Sequence, residues 1–311
     1  MNQLRFDGLT AVVTGAGGNP SLGRAHALLL AERGANVVVN DIGRLPAALG
    51  YSGEASAETV VGEIRSRGGS AVADTHSVAE EPGARAIIQT ALDAFGGIDI
   101  LVNNAGICRV VSFEEMTAAD FRQTIEVNLM GTVQTCRAAW PHMKAKRYGR
   151  IVNVSSGSMA GFTWQTAYAA SKAAVFSFTR SLAAEGAEHG IKANCITPGA
   201  LTRMVFAAQE QTSPLIKLQR EHMPPELVSP TVAFLAHRDC PFTGECIESM
   251  GGQIRRMYLA RTPGFTAPDM TIETVAERWQ EAVSGTDAGI FRHDDSDPRE
   301  WHIKPYVPVA Q

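Results

Sequence analysis

The chain has 311 residues, of which 45% are hydrophobic and 19% charged, so it can bury a substantial core. Its formal net charge of −4 shows no basic excess, which argues against a nucleic-acid partner. No apolar run reaches the roughly 18 residues of a membrane span, and the scattered cysteines form no CxxC pair that would indicate a disulfide framework or a metal site. We therefore expect a cytoplasmic protein with no membrane partner and no bound metal.

Short β-branched runs alternate with longer amphipathic segments along the chain. In order, the strand candidates are LTAVVTG, NVVVND, GSAVADT, IDILVNNAG, GRIVNVSS and IKANCITPG. Helical patterns such as GRAHALLLAERG and AETVVGEIRSRGG lie between them. This alternation predicts an α/β fold with a doubly wound parallel sheet. Ligands of such sheets bind beyond the carboxyl ends of the strands, so the residues after each strand are the candidate site.

The pattern changes near residue 260. TPGFTAPD predicts a linker, MTIETVAERWQEAVSG predicts one amphipathic helix that ends at Gly285, and the polar remainder predicts an irregular tail. We therefore expect a main domain over residues 1–260 and a carboxyl-terminal helical extension over residues 261–311. The helix with Trp279 is expected to pack on its own domain or on a partner subunit, and shaping of the substrate entrance is the alternative.

A glycine-rich turn follows the first strand. Gly15 and Gly17 precede a helix that begins near Gly23, so backbone amides and a helix amino terminus would face the pyrophosphate of a dinucleotide. Asp41 ends the second strand, where a carboxylate can accept hydrogen bonds from ribose hydroxyls and repel the extra phosphate of NADP. This favours NAD, although Arg44 is close enough in sequence to bind that phosphate instead. A solvated strand-end aspartate is the alternative interpretation of Asp41.

The segment YAASK places Tyr168 and Lys172 four residues apart, which on a helix puts both side chains on one face. A phenol has an ordinary pKa of about 10, and a neighbouring ammonium and a cationic nicotinamide each favour the phenolate. Such a pair can take a proton from an alcohol as hydride leaves its carbon. Alone, the Tyr-x-x-x-Lys spacing is usually structural, so its meaning depends on the other motifs.

The segments TGAGG…LG, NNAG, NLMG, IVNVSS, YAASK and NCITPGALT resemble, in chain order, the motifs of classical short-chain dehydrogenases/reductases over about residues 8–252. The resemblance implies a single-domain Rossmann-type fold and NAD(P)-dependent interconversion of a secondary alcohol and a ketone. It also implies a small apolar substrate and a homodimer or homotetramer. Residues 1–260 would then form the NAD-binding catalytic domain.

The resemblance implies a catalytic tetrad of Asn128, Tyr168, Lys172 and a serine after the fifth strand. The family's usual spacing to the tyrosine counts back to Ser155, whereas the strand pattern IVNVSS favours its second serine, Ser156. We favour Ser156, because a loop absorbs a deletion more easily than a strand end shifts. Ser155 and Ser158 are the alternatives.

Each member of the tetrad has a role that the resemblance implies. Tyr168 would be the general acid/base, Ser156 would hydrogen-bond the substrate oxygen, and Lys172 would bind ribose hydroxyls and lower the pKa of the tyrosine. Asn128 would organise a proton-relay water. Alternatively, its buried amide merely satisfies backbone groups.

The resemblance also carries cofactor contacts over to this chain. Two extra residues separate Gly15 from Gly23, and Ser21 occupies the position of the family's middle glycine, so a widened loop with the Ser21 hydroxyl as donor is expected. Asp74 is the nearest aspartate to the position that binds the adenine amino group. Thr202 is expected over the nicotinamide amide, with a helix cap as its alternative role. The full predicted set is Gly15, Gly17, Ser21, Leu22, Gly23, Asp41, Asp74, Asn104, Ala105, Gly106, Tyr168, Lys172, Pro198, Gly199 and Thr202.

A finer resemblance is carried by VVVNDIG, WQTAY, TRM and PPELVSPTVAFLAHRDC. It is to the (3R)-hydroxyacyl-CoA dehydrogenase part of multifunctional β-oxidation enzymes, a branch that uses NAD. The expected substrate is therefore a 3-hydroxyacyl-CoA or a bulky, steroid-like alcohol. An NADP-dependent carbonyl reductase and a non-catalytic nucleotide-binding protein are the alternatives. Residues 203–223 are expected to form a variable apolar lid, and Trp164 either lines the pocket or packs structurally.

Overall fold

An eight-stranded sheet is the centre of the computed structural model, which describes residues 3–43, 55–208, 214–285 and 287–291. Its strand order is β3-β2-β1-β4-β5-β6-β7-β8, and every pairing from β3 across to β7 is parallel. The strands are β1 (Thr10–Thr14), β2 (Asn36–Asn40), β3 (Ser70–Asp74), β4 (Ile100–Asn103), β5 (Gly149–Val154), β6 (Ile191–Gly199), β7 (Cys246–Met250) and β8 (Gln253–Met257). The predicted α/β fold is confirmed, and β7 and β8 extend the sheet beyond the six predicted strands.

Helices follow most of the strands. In chain order they are α1 (Leu22–Glu32), α2 (Ala57–Ser66), α3 (Glu81–Phe95), α4 (Ala118–Ile125), α5 (Gly131–Lys146), α6 (Thr166–Gly186), α7 (Arg203–Ala208), α8 (Pro214–His222) and α9 (Ser229–Ala236). A π-helical turn, Glu126–Met130, joins α4 to α5. No helix in the described ranges is long and apolar enough to cross a membrane.

Alternate residues of the central strands pack into two separate apolar layers. Val13 and Val39 face one layer with residues of α1, α2 and α9, whereas Val12 and Val38 face the other with residues of α3, α5 and α6. Because both faces of the sheet are covered, a central strand is apolar along its whole length rather than at every second residue. This explains the continuous apolar runs, and it leaves the carboxyl ends of the strands as the open edge.

The chain divides into two compact units, Met1–Arg256 and Met257–Gln311. In the second unit, β9 (Leu259–Arg261) pairs antiparallel with β10 (Gly289–Phe291). The helix expected here is broken into α10 (Ile272–Glu277) and α11 (Trp279–Val283). The prediction of one helix is wrong because Arg278 leaves the helical conformation at φ −103° and ψ 13°. Its guanidinium lies over the Phe265 ring and donates to Thr266 O.

The contact between α1 and α9 contains a buried imidazole. His26 is 1% exposed, its Nδ1 lies 2.8 Å from Ser229 Oγ, and burial lowers its pKa to about 3. In the unfolded chain a histidine has a pKa of about 6.5. Protons therefore bind the unfolded chain more strongly below that pH, so stability that is present above pH 6.5 is lost as the pH falls towards 3.

We expect His26 to account for about 2 kcal/mol of the unfolding free energy that is lost between pH 7 and pH 5. His26→Gln should remove this component, because a glutamine does not titrate. Urea denaturation at the two pH values measures it, with His142→Gln on the exposed side of α5 as control. An unchanged pH dependence in His26→Gln would contradict the assignment.

Candidate active site

A cavity of about 910 Å³ opens at the carboxyl edge of the sheet. Its volume lies at the upper end of the roughly 300–1,000 Å³ that ligand pockets occupy. The predicted site residues in its wall are Gly15, Ser21, Leu22, Asp41, Asn104, Ala105, Gly106, Ser156, Tyr168, Lys172, Pro198, Gly199 and Thr202. The structure thus brings together residues that follow five different strands.

Four predicted residues, Gly17, Gly23, Asp74 and Asn128, are not among those that line this cavity. Gly23 instead lets α1 approach the neighbouring loops, because a Cβ there would lie 2.6 Å from Asn104 Nδ2. The backbone amide of Gly17 and the side chains of Asp74 and Asn128 are each held by hydrogen bonds within the protein.

The glycine loop approaches the segment after β4 at a spacing that side chains would prevent. Gly15 has φ +64°, and a Cβ there would lie 2.8 Å from Ala105 Cα. Asn104 reinforces this contact, since its Nδ2 donates to Thr14 O at 2.9 Å and to Gly15 O at 3.0 Å. The glycine loop and the segment after β4 are therefore held in direct contact at the cavity wall.

Ser21 begins α1. Its Oγ accepts a hydrogen bond from Arg24 N at 3.2 Å and donates to Gly18 O at 2.9 Å. A hydroxyl has a single proton to donate. The Ser21 hydroxyl is therefore a helix cap in this structure, and the predicted role as pyrophosphate donor is not what the geometry shows.

Asp41 is buried beside the glycine loop, with its carboxylate at the cavity wall. Its Oδ2 accepts from Gly17 N at 2.9 Å and its Oδ1 accepts from Gly43 N at 3.0 Å. The amide of Gly17 therefore binds Asp41, not a cofactor, which corrects the prediction for Gly17. Arg44, the alternative determinant of cofactor choice, lies outside the described residues.

Asp74 is removed from the cavity by its own hydrogen bonds. Its Oδ1 accepts from Asn40 Nδ2 and His76 N, and its Oδ2 accepts from Thr90 Oγ1 at 2.8 Å and lies 2.9 Å from His76 Nδ1. These partners occupy the carboxylate, so the adenine contact predicted for Asp74 is wrong for this geometry. The wall is lined here by Asn40, Ser77 and Val78, which sequence reasoning missed although they sit just before or after strand ends.

Asn128 lies in the π-helical turn and is fully buried. Its Oδ1 accepts from Ile107 N at 2.8 Å, and its Nδ2 donates to Ile107 O at 2.9 Å and Ser171 Oγ at 3.0 Å. The backbone carbonyl of Asn128 accepts a hydrogen bond from Thr132 Oγ1 at 2.9 Å. The alternative role, satisfying backbone groups, therefore describes what this side chain does in the structure.

The two adjacent serines after β5 have different environments. Ser155 is fully buried, and its Oγ donates to Lys172 O at 2.8 Å. Ser156 is half-buried at the cavity wall, where its Oγ accepts from Ser158 N at 3.1 Å and donates to Ser158 Oγ at 3.2 Å. Ser158 is buried and donates to Gln165 Oε1 at 2.8 Å. All three serines line the cavity, and Ser156 is the least buried of them.

Tyr168 and Lys172 lie on one face of α6, with Lys172 Nζ 5.6 Å from the centre of the phenol ring. Nζ donates to Val154 O at 2.7 Å. Burial lowers the pKa of Lys172 to about 8, and the nearby Cys108 thiol opposes that change. Burial also raises the pKa of Cys108 to about 11. A buried ammonium therefore stands next to the phenol.

Charged residues at the far end of the cavity were missed from the sequence. Arg109 Nη2 lies 3.1 Å from Asp120 Oδ1 and donates to Gln123 Oε1 at 2.7 Å, and Glu115 also lines the wall. The sequence gives little indication of these residues, because Arg109 follows the NNAG segment but no acidic residue stands at a characteristic spacing from it. Within the described ranges, no group of three His, Cys, Asp or Glu residues is placed to hold a metal ion.

The predicted lid consists of α7 and α8, with residues 209–213 outside the described ranges. Met204, Val205 and Met223 from this region line the cavity. Trp164 does not, because its side chain is 60% exposed and only its carbonyl makes a described contact, accepting from Val111 N at 2.9 Å. Neither role predicted for Trp164 matches this position.

Comparison with known proteins places these features in a family. A family model described as short chain dehydrogenase matches residues 9–213. Over 287 residues the chain is 41% identical to peroxisomal multifunctional enzyme type 2 of Drosophila melanogaster, an alignment that covers 90% of this chain and 46% of that protein. The chain thus spans less than half the length of this relative.

Two further proteins match over almost their whole length. A (2S)-[(R)-hydroxy(phenyl)methyl]succinyl-CoA dehydrogenase subunit of Thauera aromatica is 34% identical, with 78% of this chain and 95% of that protein covered. The crystal structure of a short chain dehydrogenase from Mycobacterium avium superposes with a TM-score of 0.77 at 37% identity, covering 90% of this chain and 97% of that one. The chain belongs to the short-chain dehydrogenase/reductase family, and it is an NAD(P)-dependent oxidoreductase that acts on CH–OH groups.

Proposed function

We propose that the chain is an NAD-dependent dehydrogenase that interconverts a 3-hydroxyacyl-CoA, or a similarly bulky apolar alcohol, and the corresponding ketone. The observation that carries the proposal is the placement of Ser156, Tyr168 and Lys172 in the wall of one cavity that also contains Asp41. The Thauera relative is named for a CoA thioester substrate, which supports the thioester class. On the family resemblance we further propose a homodimer or homotetramer.

The chemistry requires removal of a proton and a hydride from the same alcohol. In the oxidation direction, the O–H bond of the substrate breaks and its proton passes to the phenolate oxygen of Tyr168. The Ser156 hydroxyl would turn its proton from Ser158 Oγ to the substrate oxygen and hold that oxygen beside the phenol. A bound nicotinamide would supply the hydride acceptor for the carbinol carbon and the hydride donor in the reverse direction. Oxidation would thus leave the ketone, the reduced cofactor and a protonated Tyr168.

The ammonium of Lys172 favours ionisation of Tyr168 to the phenolate. Lys172 is 3% exposed and its ammonium lies 5.6 Å from the centre of the Tyr168 ring, so the electrostatic field of the ammonium is poorly screened by water. The hydrogen bond to Val154 O fixes the position of Nζ. Gly15, Asn104 and their neighbours would hold the cofactor along the same wall.

The preference for NAD is argued from Asp41. Its carboxylate is fixed by two backbone amides at the cavity wall, beside the loop that would hold the adenosine half of the cofactor. A fixed negative charge there can accept hydrogen bonds from ribose hydroxyls, and it repels a 2′-phosphate.

Tyr168→Phe should lower kcat for 3-hydroxyacyl-CoA oxidation with NAD by about 10²- to 10⁴-fold, because the proton acceptor is lost. Steady-state turnover with thioesters, free hydroxysteroids and simple cyclic alcohols measures this, with Tyr148→Phe outside the cavity as control. Turnover of free alcohols alone would reject the thioester class. No turnover of any substrate, together with intact NADH binding, would favour a non-catalytic nucleotide-binding protein.

Ser156→Ala should lower kcat about 100-fold with NADH affinity unchanged, because one hydrogen bond to the reacting oxygen is lost. Ser155→Ala should retain turnover but lose about 1 kcal/mol of stability, because Lys172 O loses its donor. Kinetics, NADH titration and thermal denaturation of both variants separate the roles. The reverse pattern would assign the role to Ser155.

Asp41→Ala should weaken NADH binding about tenfold and improve NADPH binding relative to NADH, because both the hydrogen-bond acceptor and the repulsive charge are removed. Fluorescence titration measures both affinities, with the exposed Asp93→Ala as control. Unchanged NADH affinity with NADPH still poor would show that Asp41 does not select the cofactor.

A further inference from the structure

We propose that Arg203 binds the diphosphate of the dinucleotide cofactor. The glycine loop of this chain is two residues longer than the family pattern, and Arg203 would act at this lengthened part. The inference rests on the use of a dinucleotide cofactor, which NAD and NADP share. It does not depend on the identity of the alcohol substrate.

Arg203 connects two segments that are distant in sequence. It is the first residue of α7, and its backbone N donates to Pro20 O at 3.3 Å. Its guanidinium lies against the backbone of Gly18, where a Cβ would come within 2.7 Å of both Nε and Cζ. A side chain at Gly18 would therefore displace the guanidinium, so the glycine makes room for Arg203.

The contacts of Arg203 fall on the lengthened part of the loop. The extra residues lie between Gly15 and Gly23, and Pro20 is both the partner of the Arg203 amide and part of the cavity wall. Arg203 also lines the cavity, and its guanidinium lies against Gly18 in this part of the loop. It would therefore supply hydrogen-bond donors to a diphosphate beside the lengthened segment.

The charges around the cavity favour this assignment. Among the described residues, the cations in the wall are Arg109, Lys172 and Arg203. Arg109 is paired with Asp120 at the far end, and Lys172 donates to Val154 O beside the phenol. Arg203 is the cation that lies against the glycine loop.

A planar guanidinium matches the geometry of phosphate oxygens and can bind two of them at once. The neighbours of Arg203 connect this contact to the substrate end of the cavity. Thr202, Met204 and Val205 all line the wall. Fixing the guanidinium on a diphosphate would therefore also position the start of α7 against the reacting groups, so Arg203 is a binding residue with a positioning effect.

The test is equilibrium binding, which needs no turnover. Calorimetry with NADH, ADP-ribose and adenosine is carried out on the full chain and on Arg203→Ala. We expect Arg203→Ala to weaken NADH and ADP-ribose by about tenfold to a hundredfold, as loss of a hydrogen bond to a charged group implies, and to leave adenosine unchanged. Arg203→Lys should recover part of the lost affinity, because an ammonium supplies the positive charge but not the paired, planar N–H donors of a guanidinium.

Lys217→Ala is the matched control, since it removes an exposed cation from α8 that does not line the cavity. If Arg203→Ala does not fold, Arg203→Gln removes the charge with a polar side chain in place. Wild-type affinity of the neutral variants for NADH and ADP-ribose would overturn the proposal. A raised KM for the CoA thioester with that same wild-type affinity would instead assign Arg203 to the phosphates of the substrate. Failure of the thioester proposal alone would leave the binding result unchanged.

Discussion

The side-chain amide of Asn128 holds the two walls of the active site together. Its three hydrogen bonds join Ile107, in the segment after β4, to Ser171 on α6. Ser171 in turn donates to Tyr168 O at 2.7 Å and precedes Lys172, so the amide fixes the helix that carries Tyr168 and Lys172. An amide can supply donors and an acceptor at once without charge, whereas a carboxylate here would bury an unpaired ion.

The same preference for neutral polar groups extends into the sheet below the site. Asn103 on β4 donates to Asn153 Oδ1 on β5 at 2.9 Å and accepts from Thr135 Oγ1 on α5 at 2.7 Å. Asn153 donates to Thr179 Oγ1 on α6 at 2.9 Å. These buried bonds tie two strands to two helices without adding a charge. This network contains no charged residue that would reduce the electrostatic effect of the Lys172 ammonium on the Tyr168 phenol.

Periodicity and motif spacing were sufficient to predict the parallel sheet and most residues of the cavity wall. Both features depend on short-range sequence patterns and on the positions where strands end. These patterns were insufficient where the partner of a polar group decides its role. Asp74 and Ser21 have residue types suited to a cofactor, yet neighbours such as Thr90 and Gly18 use their hydrogen-bonding capacity. Helical periodicity likewise does not register the break at Arg278, where the guanidinium lies over the Phe265 ring.

The thiol of Cys108 borders the same cavity as the reacting groups. Burial keeps its pKa at about 11, although the ammonium of Lys172 acts in the opposite direction. Only the thiolate is a strong nucleophile, so near neutral pH this sulfur remains protonated and reacts slowly with electrophiles. A carbonyl compound in this cavity would therefore meet a protonated, weakly nucleophilic sulfur rather than a thiolate. The desolvation that lowers the pKa of Lys172 thus also protects the site against covalent modification at Cys108.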